Sequence, residues 1–69
     1  MADTESDRRT VLALARRIDR RGDTGQAPRW AVETLEFGDY ISFGGPRPGV
    51  NPYNCYRLTE RGAALIATV

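Results

Sequence analysis

The residues of this chain best equipped for chemistry are its arginines. Ten residues are basic and every one of them is Arg. A guanidinium stays charged at any working pH and presents a planar fork of donors that fits phosphate and carboxylate oxygens. It binds anions; it does not shuttle protons. The groups that would shuttle them are missing, because the chain has no histidine and Cys55 is its one cysteine. That excludes Ser-His and Cys-His nucleophile pairs, an internal disulfide and a structural zinc site built from Cys and His. No helix carries a pair of carboxylates set out as an acid and a base. The sequence therefore predicts a non-enzyme with no catalytic residue, no metal, no cofactor and no small-molecule substrate.

The charge is small in total and uneven in distribution. The net value is +1. Residues 1–7 hold Asp3, Glu5 and Asp7 without a base, whereas residues 8–21 hold six arginines against Asp19. Residues 22–45 turn acidic again, with Asp23, Glu33, Glu36 and Asp39 against Arg29. Residues 46–69 are basic through Arg47, Arg57 and Arg61 against Glu60. Clustered arginine on one segment is the electrostatic footprint of a polyanion-binding surface.

The elements that must carry these charges can be read from apolar spacing. Val11, Leu14, Ala15 and Ile18 recur at i, i+3, i+4 and i+7, which predicts a helix over 6–21 with Leu12 widening its buried stripe. Ser6 or Thr4 can cap it, Arg20 and Arg21 suit its C-terminal dipole, and Gly22 suits its end. Arg9, Arg16 and Arg20 then share one outward face, flanked by Arg17 and Arg21. That face is either a phosphate-tracking ridge or a plain solvated surface. Asp23-Thr24-Gly25 reads as a tight turn. A second helix is expected from about Pro28 to Phe37, stopping at Gly38, with Ala31, Val32 and Leu35 inward. Trp30 and Phe37 fall on its opposite side with Glu33, giving the helix two apolar faces where a surface helix normally has one.

Two strands are expected next, over 40–43 and 53–58, with Ile41 and Phe43 facing the same way as Tyr56 and Leu58. Gly44 to Pro52 reads as a loop by every turn signal, and it lacks the spacing of a phosphate-binding loop. Arg47 sits in it between Pro46 and Pro48. Stiff proline geometry would hold that arginine out, either toward a DNA minor groove or backbone or simply into solvent. Thr59 should cap a last helix over 60–68. Gly62, Leu65, Ile66 and Val69 line one side of it, and Ala63, Ala64 and Ala67 make a smooth opposite side. Cys55 reads as a small half-buried strand residue. The expected fold is one α+β domain, order ααββα, over 6–69, preceded by a flexible acidic segment at 1–5. With no apolar run long enough to span a bilayer and no apolar leader at the start, a cytoplasmic location is expected.

One stretch carries a family resemblance. Leu35-Glu36-Phe37-Gly38-Asp39-Tyr40-Ile41, then Pro48-Gly49, then Tyr56-Arg57-Leu58-Thr59-Glu60-Arg61-Gly62 resembles the end of the recognition helix, the wing and the closing helix of winged helix-turn-helix regulators of the MarR and PadR type. The likeness covers roughly residues 26–69. It implies a winged-helix-like fold and a small DNA-binding protein, a transcriptional regulator or a recombination accessory factor, working on duplex DNA as a homodimer. Under it, Arg9, Arg16, Arg20 and Arg47 would hold phosphates, and Arg29 and Thr34 would touch bases. A full domain of that type has three helices before the wing and this chain has room for two, so a second copy could cover the exposed core. The would-be recognition helix shows Glu33, Trp30 and Phe37, which is more typical of protein contact. The competing expectation is a protein-binding adaptor or inhibitor on the same scaffold, using Trp30, Phe37 and the Ala64 side of the last helix.

Overall fold

The structure is a computed structural model that describes residues 4–45 and 48–68. Three helices and one two-stranded antiparallel sheet follow in the order ααββα. No helix among the described residues is long and apolar enough to cross a membrane.

Helix α1 runs over Thr4–Arg21. It begins two residues before the expected start, so Thr4 and Glu5 belong to its first turn rather than to a separate N-terminal segment. Ser6 is consequently not a cap; its carbonyl accepts a bond from the Thr10 hydroxyl at 3.1 Å. The apolar stripe buries as its spacing requires, with Leu14, Ala15 and Ile18 inside and Val11 packed against them. The helix ends where Gly22 donates its N–H to the Ile18 carbonyl at 2.8 Å.

Helix α2 spans Arg29–Phe37 and buries Ala31, Val32 and Leu35. Pro28 stands just outside it, at φ −65° and ψ 145°, and makes no side-chain cap. Its carbonyl instead accepts the N–H groups of Ala31 and Val32, 3.0 and 3.4 Å away. Gly38 follows the helix in a right-handed conformation, φ −80°. The left-handed residue that turns the chain out is Asp39, at φ 61°, a role that aspartate tolerates better than most.

Strands β1 (Ile41–Phe43) and β2 (Tyr56–Leu58) pair with Ile41 opposite Leu58, Ser42 opposite Arg57 and Phe43 opposite Tyr56. The second strand is shorter than expected. Residues Pro52–Asn54 form a 3-10 turn, because the Asn51 side chain accepts the Tyr53 N–H at 3.0 Å and the Asn51 carbonyl accepts the Asn54 N–H at 2.8 Å. Local side-chain capping of this kind competes directly with a strand ladder. Phe43 also departs from its expected inward position: its ring stacks on Tyr56 at 5.1 Å but it remains 61 % exposed.

The joint between α1 and α2 is more than a turn. Asp23 forms an isolated antiparallel bridge with Cys55. Tyr56 donates to the Gly22 carbonyl and Thr24 donates to the Asn54 carbonyl, both at 3.0 Å. The tight turn itself lies one step later, closed by Ala27 N–H on the Thr24 carbonyl at 3.1 Å. This stitching seats the hairpin on the helices, buries Cys55, and places Ile41 and Tyr56 in one core with the stripes of α1 and α2.

Helix α3 (Glu60–Ala67) is fixed to the end of α2 by the Thr59–Gly62 corner. The Thr59 hydroxyl donates to the Asp39 carbonyl at 2.7 Å and accepts the Gly62 N–H at 3.2 Å. The Thr59 N–H reaches the Tyr40 carbonyl at 3.0 Å. Arg61 donates to the Gly38 carbonyl at 2.8 Å, with its guanidinium 5.0 Å from the centre of the Tyr40 ring. Gly62 is buried, and a Cβ there would run into the Tyr40 carbonyl oxygen.

Candidate nucleic-acid interface

Helical geometry puts Arg9, Arg16 and Arg20 on the side of α1 away from Leu14 and Ile18, and all three are exposed. Eleven residues separate the first from the last, so the ridge runs about 16 Å along the helix axis. Arg9 pairs with Glu5 at 3.3 Å, but both side chains are largely in solvent and such a pair holds little energy. Arg16 and Arg20 have no ion-pair partner among the described residues. Arg17 is different. It is drawn out of the ridge by Asp23, 2.8 Å away at the α1–α2 joint, where the carboxylate is nearly covered.

The remaining sequence candidates do not gather around that ridge. Arg29 is exposed at the start of α2 and is held by Glu33 at 3.1 Å. Thr34 lies about 140° from Arg29 around the helix, at 100° per residue. Its hydroxyl is donated to the Trp30 carbonyl at 2.7 Å. The two expected base-reading side chains therefore do not share a face. Arg47 lies outside the described residues. Arg57 is exposed on β2 and was not singled out in the sequence, although its strand position opposite Ser42 faces it away from the buried Tyr56 and Ile41.

The two aromatic residues of α2 also part company. Trp30 is 43 % exposed and leans toward α1. There it walls a groove of about 430 Å³, together with Val11 and Leu12 of α1, Tyr40, and Leu65 of α3. Thr34, Asp7 and Arg8 line the same groove. Phe37 is 86 % exposed on the other flank, beside Arg29, Glu33 and Glu36. Ala64 is exposed on α3, as are Ala63 and Ala67. Sequence reasoning missed the groove, because it is formed by three helices at once. Tyr53, 80 % exposed, was missed because the 3-10 turn removed it from the strand.

The Tyr56 titration is shifted. Burial raises the Tyr56 hydroxyl above the ordinary tyrosine value, and the Glu36 carboxylate that it faces at 3.4 Å adds to the shift by charge and hydrogen bond, partly offset by Arg29. Among the described residues, no group of three or more His, Cys, Asp or Glu could hold a metal ion. Comparison with protein-family models, with curated proteins and with solved structures found no match to this chain.

Proposed function

We propose that this chain is a small non-enzymatic domain that binds duplex DNA, on a winged-helix-like scaffold and as a pair of copies, in the regulation of transcription or as an accessory to recombination. The observation that carries the reading is the α1 ridge: three exposed arginines on one helical face, two of them without an acidic partner among the described residues. A DNA duplex presents about one negative charge per 1.7 Å of axis, so a 16 Å ridge meets a dense row of phosphates. The ααββα order supports the scaffold. Base reading through α2 is the weakest part, given the Arg29–Glu33 pair and the separation of Thr34. The domain holds DNA chiefly by its backbone.

The test is a mobility shift against duplex DNA at two salt concentrations. Three phosphate contacts from the ridge contribute about −2.7 per bound copy to the slope of log affinity against log salt, or roughly a fortyfold loss per copy between about 50 and 200 mM. Arg16→Ala combined with Arg20→Ala should flatten that slope by about 1.8 per copy for every sequence tried. Absence of any shift at about 50 mM salt sinks the reading.

A second reading rests on Phe37, whose near-complete exposure beside two carboxylates suits a protein partner. In that case the scaffold is an adaptor or inhibitor. Capture of a partner that Phe37→Ser abolishes, with no duplex binding, would favour it.

A further inference from the structure

We infer that the recess between the α1–α2 joint and the 3-10 turn binds an unpaired adenine base, with the phosphate attached to it held by Arg29. The inference goes beyond duplex binding, because a base inside a duplex must leave the stack before a pocket can take it.

The recess holds about 130 Å³. It is lined by Thr24 and Ala27 of the joint, Arg29 of α2, Tyr53 and Asn54 of the turn, and Tyr56. Sites for drug-sized ligands run to about 300–1,000 Å³, so this one takes a single small planar group. The exposed Tyr53 supplies a ring face, and its side chain makes no hydrogen bond among the described residues. Nucleobases stack on such rings. Thr24 is only 5 % exposed, yet its hydroxyl has no hydrogen-bond partner among the described residues. The Asn54 side chain has none either. Polar groups this deep are ordinarily paired, so two unused ones on one small recess point to a partner from outside the chain.

The free side chains select the base. An asparagine amide presents a donor beside an acceptor, the complement of adenine, which offers N7 as acceptor and N6 as donor. Thymine has no such pair. Arg29 selects the anion attached to it. Its bond to Glu33 at 3.1 Å joins side chains that are largely in solvent, and such a pair holds little energy, so a phosphate can take the guanidinium over. The first two N–H groups of α2, on Arg29 and Trp30, have no acceptor among the described residues and add positive partial charge at the same end. This is the chemistry of a free adenine nucleotide or of an unpaired adenine in a single strand.

The full chain is titrated with adenosine 5′-monophosphate, with adenosine, and with single strands of eight deoxyadenylates or eight deoxythymidylates, followed by NMR shifts of the backbone amides. The expected result is saturable shifts at Thr24, Gly25, Tyr53 and Asn54, with a dissociation constant for the monophosphate below about 1 mM. Tyr53→Ala should weaken binding at least about fivefold while Tyr53→Phe keeps it, because the ring face does the stacking. Thr24→Val should weaken it about threefold. Glu33→Gln should tighten the monophosphate about twofold or more and leave adenosine unchanged, because it frees Arg29 for the phosphate. Circular dichroism checks that the variants keep the fold. An adenylate strand that binds more tightly than the monophosphate supports the site and names the strand as its source; equal affinities support it and name the free nucleotide. The absence of saturable shifts from either at about 5 mM overturns the inference. So do shifts that Tyr53→Ala leaves intact, or a thymidylate strand that binds as tightly as the adenylate strand. Mobility shifts of duplex DNA are run on the same samples. A duplex shift without nucleotide binding refutes this site alone, and nucleotide binding without a duplex shift refutes the duplex reading alone.

Discussion

Replacing Gly62 by alanine sets two effects of opposite sign against each other inside α3. Alanine is the better helix former, by about 1 kcal/mol over glycine in a helix interior. On propensity alone the change should stabilise the domain. The packing says otherwise. The added Cβ would collide with the Tyr40 carbonyl oxygen, and it would lie 3.1 Å from both the Tyr40 carbonyl carbon and Leu58 Cδ2. Leu58 can shift a little, but the Tyr40 carbonyl is backbone and is fixed by the Thr59 N–H at 3.0 Å. Relief therefore needs α3 to lift away from the Tyr40 backbone, which strains the Thr59 hydroxyl bonds to Asp39 and Gly62 as well. Overpacking of this kind costs about 1–3 kcal/mol, and a backbone obstacle places it near 3. Set against the propensity gain, the net loss is about 2 kcal/mol. For a domain of this size that lowers the melting temperature by about 8–16 °C. The assay is thermal and urea unfolding followed by circular dichroism. Ala63→Gly serves as calibration, since Ala63 is exposed on the same helix and should lose about 1 kcal/mol from propensity alone. A Gly62→Ala variant as stable as the parent, or more so, would refute the close-approach argument.

Three further outcomes follow from the same contacts. Thr59→Ala should cost about 1–2 kcal/mol in urea unfolding, because the hydroxyl both caps α3 and holds Asp39, while Thr59→Ser should recover most of it. Asp23→Ala should cost about 1–2 kcal/mol by the same measurement, because it strips Arg17 of its partner at the α1–α2 joint. The Tyr56 hydroxyl is raised in the folded state by burial first and by Glu36 second, so its contribution to stability is whole below about pH 10 and is lost as pH climbs through the folded value. The urea midpoint of the parent should fall across that alkaline range, and Tyr56→Phe should fall less steeply; equal slopes would rule out the Tyr56 account.

Much of the fold was legible because its signals are local. The Val11, Leu14, Ala15, Ile18 spacing marks the buried side of α1 without any knowledge of what covers it, and Thr59 followed by Gly62 marks a cap. What escaped depends on partners distant in the chain. The Asp23–Cys55 bridge links segments 32 positions apart and has no signature in either. Tyr53 looked like strand because its type favours strands, yet Asn51 and Pro52 decide the local backbone first. At the candidate site the arginine ridge was readable from helical period alone. The separation of Arg29 from Thr34 was readable too, at five residues apart, but the groove that takes Thr34 and Trp30 required α3 to be placed.

The bridge at Asp23 and Cys55 also bears on how the domain opens. Hydrogen bonds from Tyr56 to Gly22 and from Thr24 to Asn54 tie the hairpin to the end of α1 and the start of the α2 joint. The hairpin cannot peel away while those amides stay protected, and α1 cannot fray past Gly22 without exposing Tyr56. Amide exchange at Tyr56, Thr24 and Gly22 should thus share one opening free energy, close to that of global unfolding, as a single cooperative unit.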